Sequence, residues 1–107
     1  WYYAEKIKMK EYNLDEEEVR PYLKVDNVIN GTFILANKLF GLTFEEQTNI
    51  PKYHPDVRTY TVKNEKGQLI GVYLSDWFYR DSKRGGAWMN SFRKQSNIDG
   101  KPEIPVI

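Results

Sequence analysis

No cysteine occurs among the 107 residues, so disulfides and cysteine-based metal sites are excluded. Histidine occurs once, at position 54, and no second imidazole is present to complete a zinc site with it. No apolar run approaches the length of a bilayer-spanning helix, so no membrane is expected as a partner. The formal net charge is +1, which lacks the overall positive excess of a nucleic-acid binder. Internal repeats and low-complexity tracts are absent too. The sequence opens at Trp1-Tyr2-Tyr3 without an initiator Met or a signal peptide, and a piece cut from a longer protein is the expectation.

Aromatic residues are what the chain has in excess: 3 Trp, 8 Tyr and 5 Phe. With 40% hydrophobic residues, this composition argues for a folded chain of one domain at most. Two uses for the rings are open. They can form a core, or they can line surfaces that meet other parts of a longer polypeptide.

The periodicity changes along the chain. Tyr2 to about Lys10 reads as a helix that Asn13 can end. Asp15, with Glu18 three residues on, resembles a capping box, and the acidic run Glu16–Glu18 suits a helix N-terminus better than it suits catalysis. Pro21 keeps that second helix short. Asp26 is a plausible N-cap for a third helix. Its apolar residues Val28, Ile29, Phe33, Ala36, Leu39 and Phe40 recur at three- and four-residue steps, and Gly41 closes it. Gly31 inside this helix suggests close packing. From Leu42 to Glu46, Val57 to Lys63 and Gln68 to Phe78 the pattern alternates as in strands. Asn64–Gly67 forms the hairpin turn, with Gly67 in the left-handed position. Gly71 suggests a bulge or a close backbone approach. The fold class is α+β: helices over 1–41, a small antiparallel sheet over 42–79, then an irregular glycine-containing loop and a truncated strand over 80–107.

The densest chemistry lies in Asp76-Trp77-Phe78-Tyr79-Arg80-Asp81-Ser82-Lys83-Arg84-Gly85-Gly86-Ala87-Trp88. Asp76 with Arg80 or Lys83 can form an ion pair that shapes the following loop. Gly85, Gly86 and Ala87 free the main chain either for a tight turn or for pairing with an extended peptide. Between Arg80 and Lys101 lie six basic residues, which form either a solvated face or a cationic wall for a peptide carboxylate. His54, flanked by Tyr53 and Pro55, reads as a hydrogen-bonded loop residue.

The spacing Asp76-x-x-x-Arg80-x-x-Lys83-x-Gly85-x-Ala87 resembles a segment of the peptidyl-dipeptidase, thimet oligopeptidase and oligopeptidase A family of zinc metallopeptidases. Further resemblances run in order along nearly the whole chain. They include Trp1-Tyr2-Tyr3-Ala4-Glu5-Lys6, Pro21-Tyr22-Leu23, Asp26-Asn27-Val28, Ala36 to Leu42, and Tyr53-His54-Pro55-Asp56-Val57. Arg84-Gly85-Gly86-Ala87-Trp88 points to the peptidyl-dipeptidase branch. The resemblance implies a fragment of a peptidase that removes C-terminal dipeptides from short peptides, or cleaves them. It implies zinc in the parent, held by a His-Glu-x-x-His helix shortly downstream, and no metal ligand or catalytic residue in this chain. Gly85, Gly86 and Ala87 would then bind substrate, and Asp76, Arg80 and Lys83 would shape the cleft. The isolated fragment would be inactive, and its uncovered aromatics and strand edge would favour self-association. A cytoplasmic parent is expected, with the periplasm as the alternative. The competing function is a freestanding module that binds a peptide or single-stranded nucleic acid through the basic, aromatic C-terminal third.

Overall fold

A computed structural model describes residues 1–13 and 15–107 and divides into two compact units, 1–32 and 33–107. Three helices precede a three-stranded antiparallel sheet, so the class is α+β.

In the first unit, α1 (Tyr2–Tyr12) buries none of its residues. It ends at Asn13, whose left-handed φ of 46° lets its N–H reach the Met9 carbonyl at 3.1 Å. α2 (Glu16–Val19) is capped by Asp15, which accepts from the Glu17 N–H at 2.9 Å. The cap bond therefore reaches the second helical residue, one short of the Glu18 position that a capping box uses. Pro21 converts the continuation into a 3-10 turn over Arg20–Tyr22. Lys8 pairs with Glu16 and ties α1 to α2.

α3 (Val25–Phe40) begins one residue before Asp26, so this carboxylate sits in the first turn instead of capping it. There it still favours the positive end of the helix dipole. A Cβ on Gly31 would meet nothing within 4 Å, so close packing does not explain that glycine. Gly41, at φ 65°, ends the helix with its N–H on the Asn37 carbonyl at 2.8 Å.

The second unit is organised by β1 (Thr43–Gln47), β2 (Arg58–Lys63) and β3 (Leu69–Ser75), in the order β1-β2-β3. The β2–β3 hairpin closes at Asn64–Gly67. The Asn64 side-chain oxygen accepts from the Lys66 and Gln68 N–H groups at 3.0 Å each, and Gly67 takes a φ of 73°. Val62 faces Gly71 and Lys63 faces Leu69, so Ile70 is the extra residue of a bulge.

Strand alternation puts Phe44, Tyr60 and Tyr73 on one face. Phe33 stacks on Phe44 at 4.1 Å and meets Tyr60 edge-on at 4.9 Å, and Tyr60 stacks on Tyr73 at 6.1 Å. Each such pair contributes about 0.5–1.5 kcal/mol beyond the area it buries. Tyr60 is 4% exposed and Val57 is fully buried, so part of the aromatic excess is core.

The chain's last residues join this sheet. Val106 pairs in parallel with Val72. The Val72 N–H donates to Pro105 at 2.9 Å, Ile107 donates to Val72 at 3.0 Å, and Leu74 donates to Ile107 at 2.6 Å. Gly71 admits this neighbour, since a Cβ there would already stand 3.5 Å from Pro105. On the far side, the Phe92 and Arg93 N–H groups both donate to the Val106 carbonyl, at 2.8 and 3.2 Å.

The sheet ends at Ser75, three residues before the alternating pattern does. The carbonyls of Asp76 and Phe78 are both taken by the Lys83 ammonium, so they are not available to a ladder.

Candidate functional site

Where β3 ends, the chain turns into the charged segment, and Asp76 becomes its anchor. Arg80 grips the Asp76 carboxylate with both terminal nitrogens, at 2.8 and 2.7 Å. Such a planar fork is geometrically selective. Lys83 reaches the Asp76 carboxylate at 3.1 Å and donates to the carbonyls of Asp76 at 2.6 Å and Phe78 at 3.0 Å. Its three N–H groups therefore have three partners. The side chains of Asp76, Arg80 and Lys83 are 13%, 22% and 16% exposed, so this is a partly buried clasp and not a solvated surface pair.

The electrostatics follow. The hydrogen bond from Arg80 holds the Asp76 carboxyl well below the usual carboxylate range, with Lys83 adding to it against the effect of burial. The same bond raises Arg80. Asp76 also accepts from the Tyr53 hydroxyl at 3.2 Å, across 23 positions of sequence. Burial, and next the Asp76 charge, raise the Tyr53 phenol. The Arg80 guanidinium lies over the Tyr53 ring at 5.9 Å, and Phe92 stands 6.1 Å from the same ring.

The clasp forms one side of a cleft of about 660 Å³. Asp76, Arg80, Lys83, Gly86 and Ala87 line it; Gly85 does not. Gly86 has a φ of 100°, a conformation that side chains disfavour, and a Cβ there would meet only open space. The backbone, not crowding, is therefore what calls for glycine at this position. Trp88 and Phe92 also line it, as do Tyr53, Ser75 and Ile107. Ser75 is 3% exposed, and its hydroxyl has no hydrogen-bond partner among the described residues.

Sequence reasoning brought the clasp and Gly86–Ala87 together but missed Tyr53 and Phe92. The only sequence signal for Tyr53 is an aromatic residue in a proline-flanked loop, beside His54. His54 Nδ1 accepts from the Asp56 N–H at 3.3 Å, and its carbonyl accepts from Val57 at 3.1 Å, so it shapes the loop that leads into β2. Of the six basic residues between Arg80 and Lys101, Arg80 and Lys83 line the cleft. Arg84, Arg93 and Lys94 lie outside the cleft lining, and Arg93 Nε donates to the Ile104 carbonyl at 2.9 Å.

Among the described residues no three His, Cys, Asp or Glu groups come together as a metal site would need. No helix of the described residues is long and apolar enough to cross a membrane.

Comparison with known proteins places the chain in a family. Dipeptidyl carboxypeptidase of Escherichia coli is 42% identical over 99 residues, and that of Salmonella typhimurium 43% identical over 99 residues. Each match covers 92% of this chain but only 14% and 15% of the relative. Oligopeptidase A of Escherichia coli is 36% identical over 106 residues, covering 98% of this chain and 16% of the relative. The chain thus spans roughly a seventh of the length of these curated relatives. Residues 1–107 match Peptidase family M3 from end to end, and the chain belongs to that family.

Proposed function

We propose that this chain is part of the catalytic domain of a zinc-dependent peptidase that removes C-terminal dipeptides from short peptides or cleaves them internally. The end-to-end match to Peptidase family M3 carries this reading. Relatives named dipeptidyl carboxypeptidase and oligopeptidase A support it.

Within that enzyme the chain's task is to hold substrate. The cleft beside the clasp supplies a wall, and the main chain at Gly85-Gly86-Ala87 pairs with an extended peptide backbone. The left-handed φ at Gly86 and the open space beside it leave room for such an approach. Asp76, Arg80 and Lys83 fix the turn that presents this segment. The metal and the groups that activate water are assigned to other parts of the polypeptide, since among the described residues no set of ligands comes together. A nucleic-acid module is not favoured, given a net charge of +1 and the family match.

Two proteins incubated with the same peptides test the reading. The complete polypeptide should release dipeptides or internal fragments visible by mass spectrometry, and a chelator should abolish the release. The 107-residue chain alone should release none. A complete polypeptide that leaves short peptides intact under all metal conditions would contradict the proposal.

A further inference from the structure

The charges lining the cleft are already matched to one another. Lys83 spends its three donors on Asp76 and the Phe78 carbonyl, and Arg80 spends both terminal nitrogens on Asp76. Apart from Asn90 and the buried Ser75 hydroxyl, what the cleft still presents is mostly apolar. Phe92 is 70% exposed and Trp88 57%, and both line it.

We infer that Phe92 is a specificity-determining wall of this cleft, which thereby forms a subsite for a large apolar side chain of a peptide, with Tyr53 as the positioning residue. The inference rests on the peptidase reading above. Phe92 is exposed but not loose. Its N–H is bonded to Val106, which is itself held against β3 through Val72. Its ring is backed by Tyr53, and the Tyr53 hydroxyl is anchored on Asp76. A rigid backbone carrying an open ring offers a large contact area at little cost in entropy. The arrangement reads as a chain of supports: clasp, Tyr53, Phe92, then ligand. The volume of about 660 Å³ lies within the range of ligand pockets, about 300–1,000 Å³, and leaves space for a peptide main chain beside Gly86.

The test uses the complete polypeptide and a set of short peptides that differ at one position at a time, carrying Phe, Leu, Ala or Glu. Wild type should favour Phe and Leu at one position. Phe92→Ala should lower kcat/KM for the Phe peptide about 10- to 100-fold, chiefly through KM, while the Ala peptide loses far less. Tyr53→Phe keeps the ring but drops the bond to Asp76, and should shift the same Phe-to-Ala ratio by about 3- to 10-fold through looser positioning. If Phe92→Ala does not fold, Phe92→Leu should change the ratio between the Phe and Leu peptides. Equal losses for every peptide would overturn the inference, because they mark Phe92 as structural or covered by another part of the polypeptide. A wild-type preference for Glu would overturn it as well, since the cleft would then read charge. In both cases the peptidase reading survives. Only a wild type that cleaves no peptide removes that reading, and the subsite falls with it.

Discussion

Replacing Asp76 with Asn should destabilise this chain by about 2 kcal/mol at neutral pH, the scale of hydrogen bonds made to a charged group. The carboxylate serves Arg80, Lys83 and Tyr53 at once. The amide keeps its shape but leaves Arg80 and Lys83 without the carboxylate charge they share. The figure is held to the middle of the range because the cleft is open to water, which screens the pair. The sign with pH follows from the lowered carboxyl. A carboxyl depressed in the folded state stabilises fully above its unfolded value of about 3.9, and the stabilisation is lost as pH falls through the folded value. Denaturant titrations should therefore separate wild type from Asp76→Asn at pH 7, and the gap should narrow progressively below about pH 4. A difference under about 0.5 kcal/mol at pH 7 would show that solvent screens the clasp to the level of an ordinary surface pair.

The second large effect is on turnover. Gly86→Pro in the complete enzyme should lower kcat/KM about 100-fold, the order of loss that a misplacement of about 1 Å produces. Proline fixes φ near −65°, while Gly86 sits at 100°, and the ring also removes an N–H donor from the cleft wall. Gly86→Ala keeps the N–H and should fall between, since it meets open space and pays only for the left-handed backbone. Metal content and melting temperature should stay close to wild type in both, because the segment is a surface turn away from the aromatic core. Full turnover in a folded Gly86→Pro enzyme would leave Gly85–Ala87 as a turn without a role in binding.

What the sequence made legible was local. The left-handed residues at Asn13, Gly41 and Gly67 follow from residue type and position, and so does the hairpin between β2 and β3. The Asp76–Arg80 pair was readable because both partners lie within four positions. The misses are contacts between distant residues. Tyr53 meets Asp76 across 23 positions, and no period or motif encodes that bond. Phe92 reads as one aromatic in a polar stretch until its backbone is seen bonded to Val106. The strand pattern overran the sheet at Asp76–Phe78 because periodicity cannot show that Lys83 takes two of the carbonyls. The basic run left a solvated face and a cationic wall both open, since counting cations does not reveal that Arg80, Lys83 and Arg93 are already paired.

Photo-crosslinking asks most directly whether this chain borders the substrate. A short peptide carrying a photoreactive phenylalanine analogue is bound to the complete, catalytically silenced protein, irradiated, and the adducts are mapped by mass spectrometry. Adducts should concentrate on Gly86–Phe92 and Tyr53, and excess unlabelled substrate should suppress them. Substrate-competed adducts that fall wholly outside the cleft residues of this chain would contradict its role as a wall of the binding site.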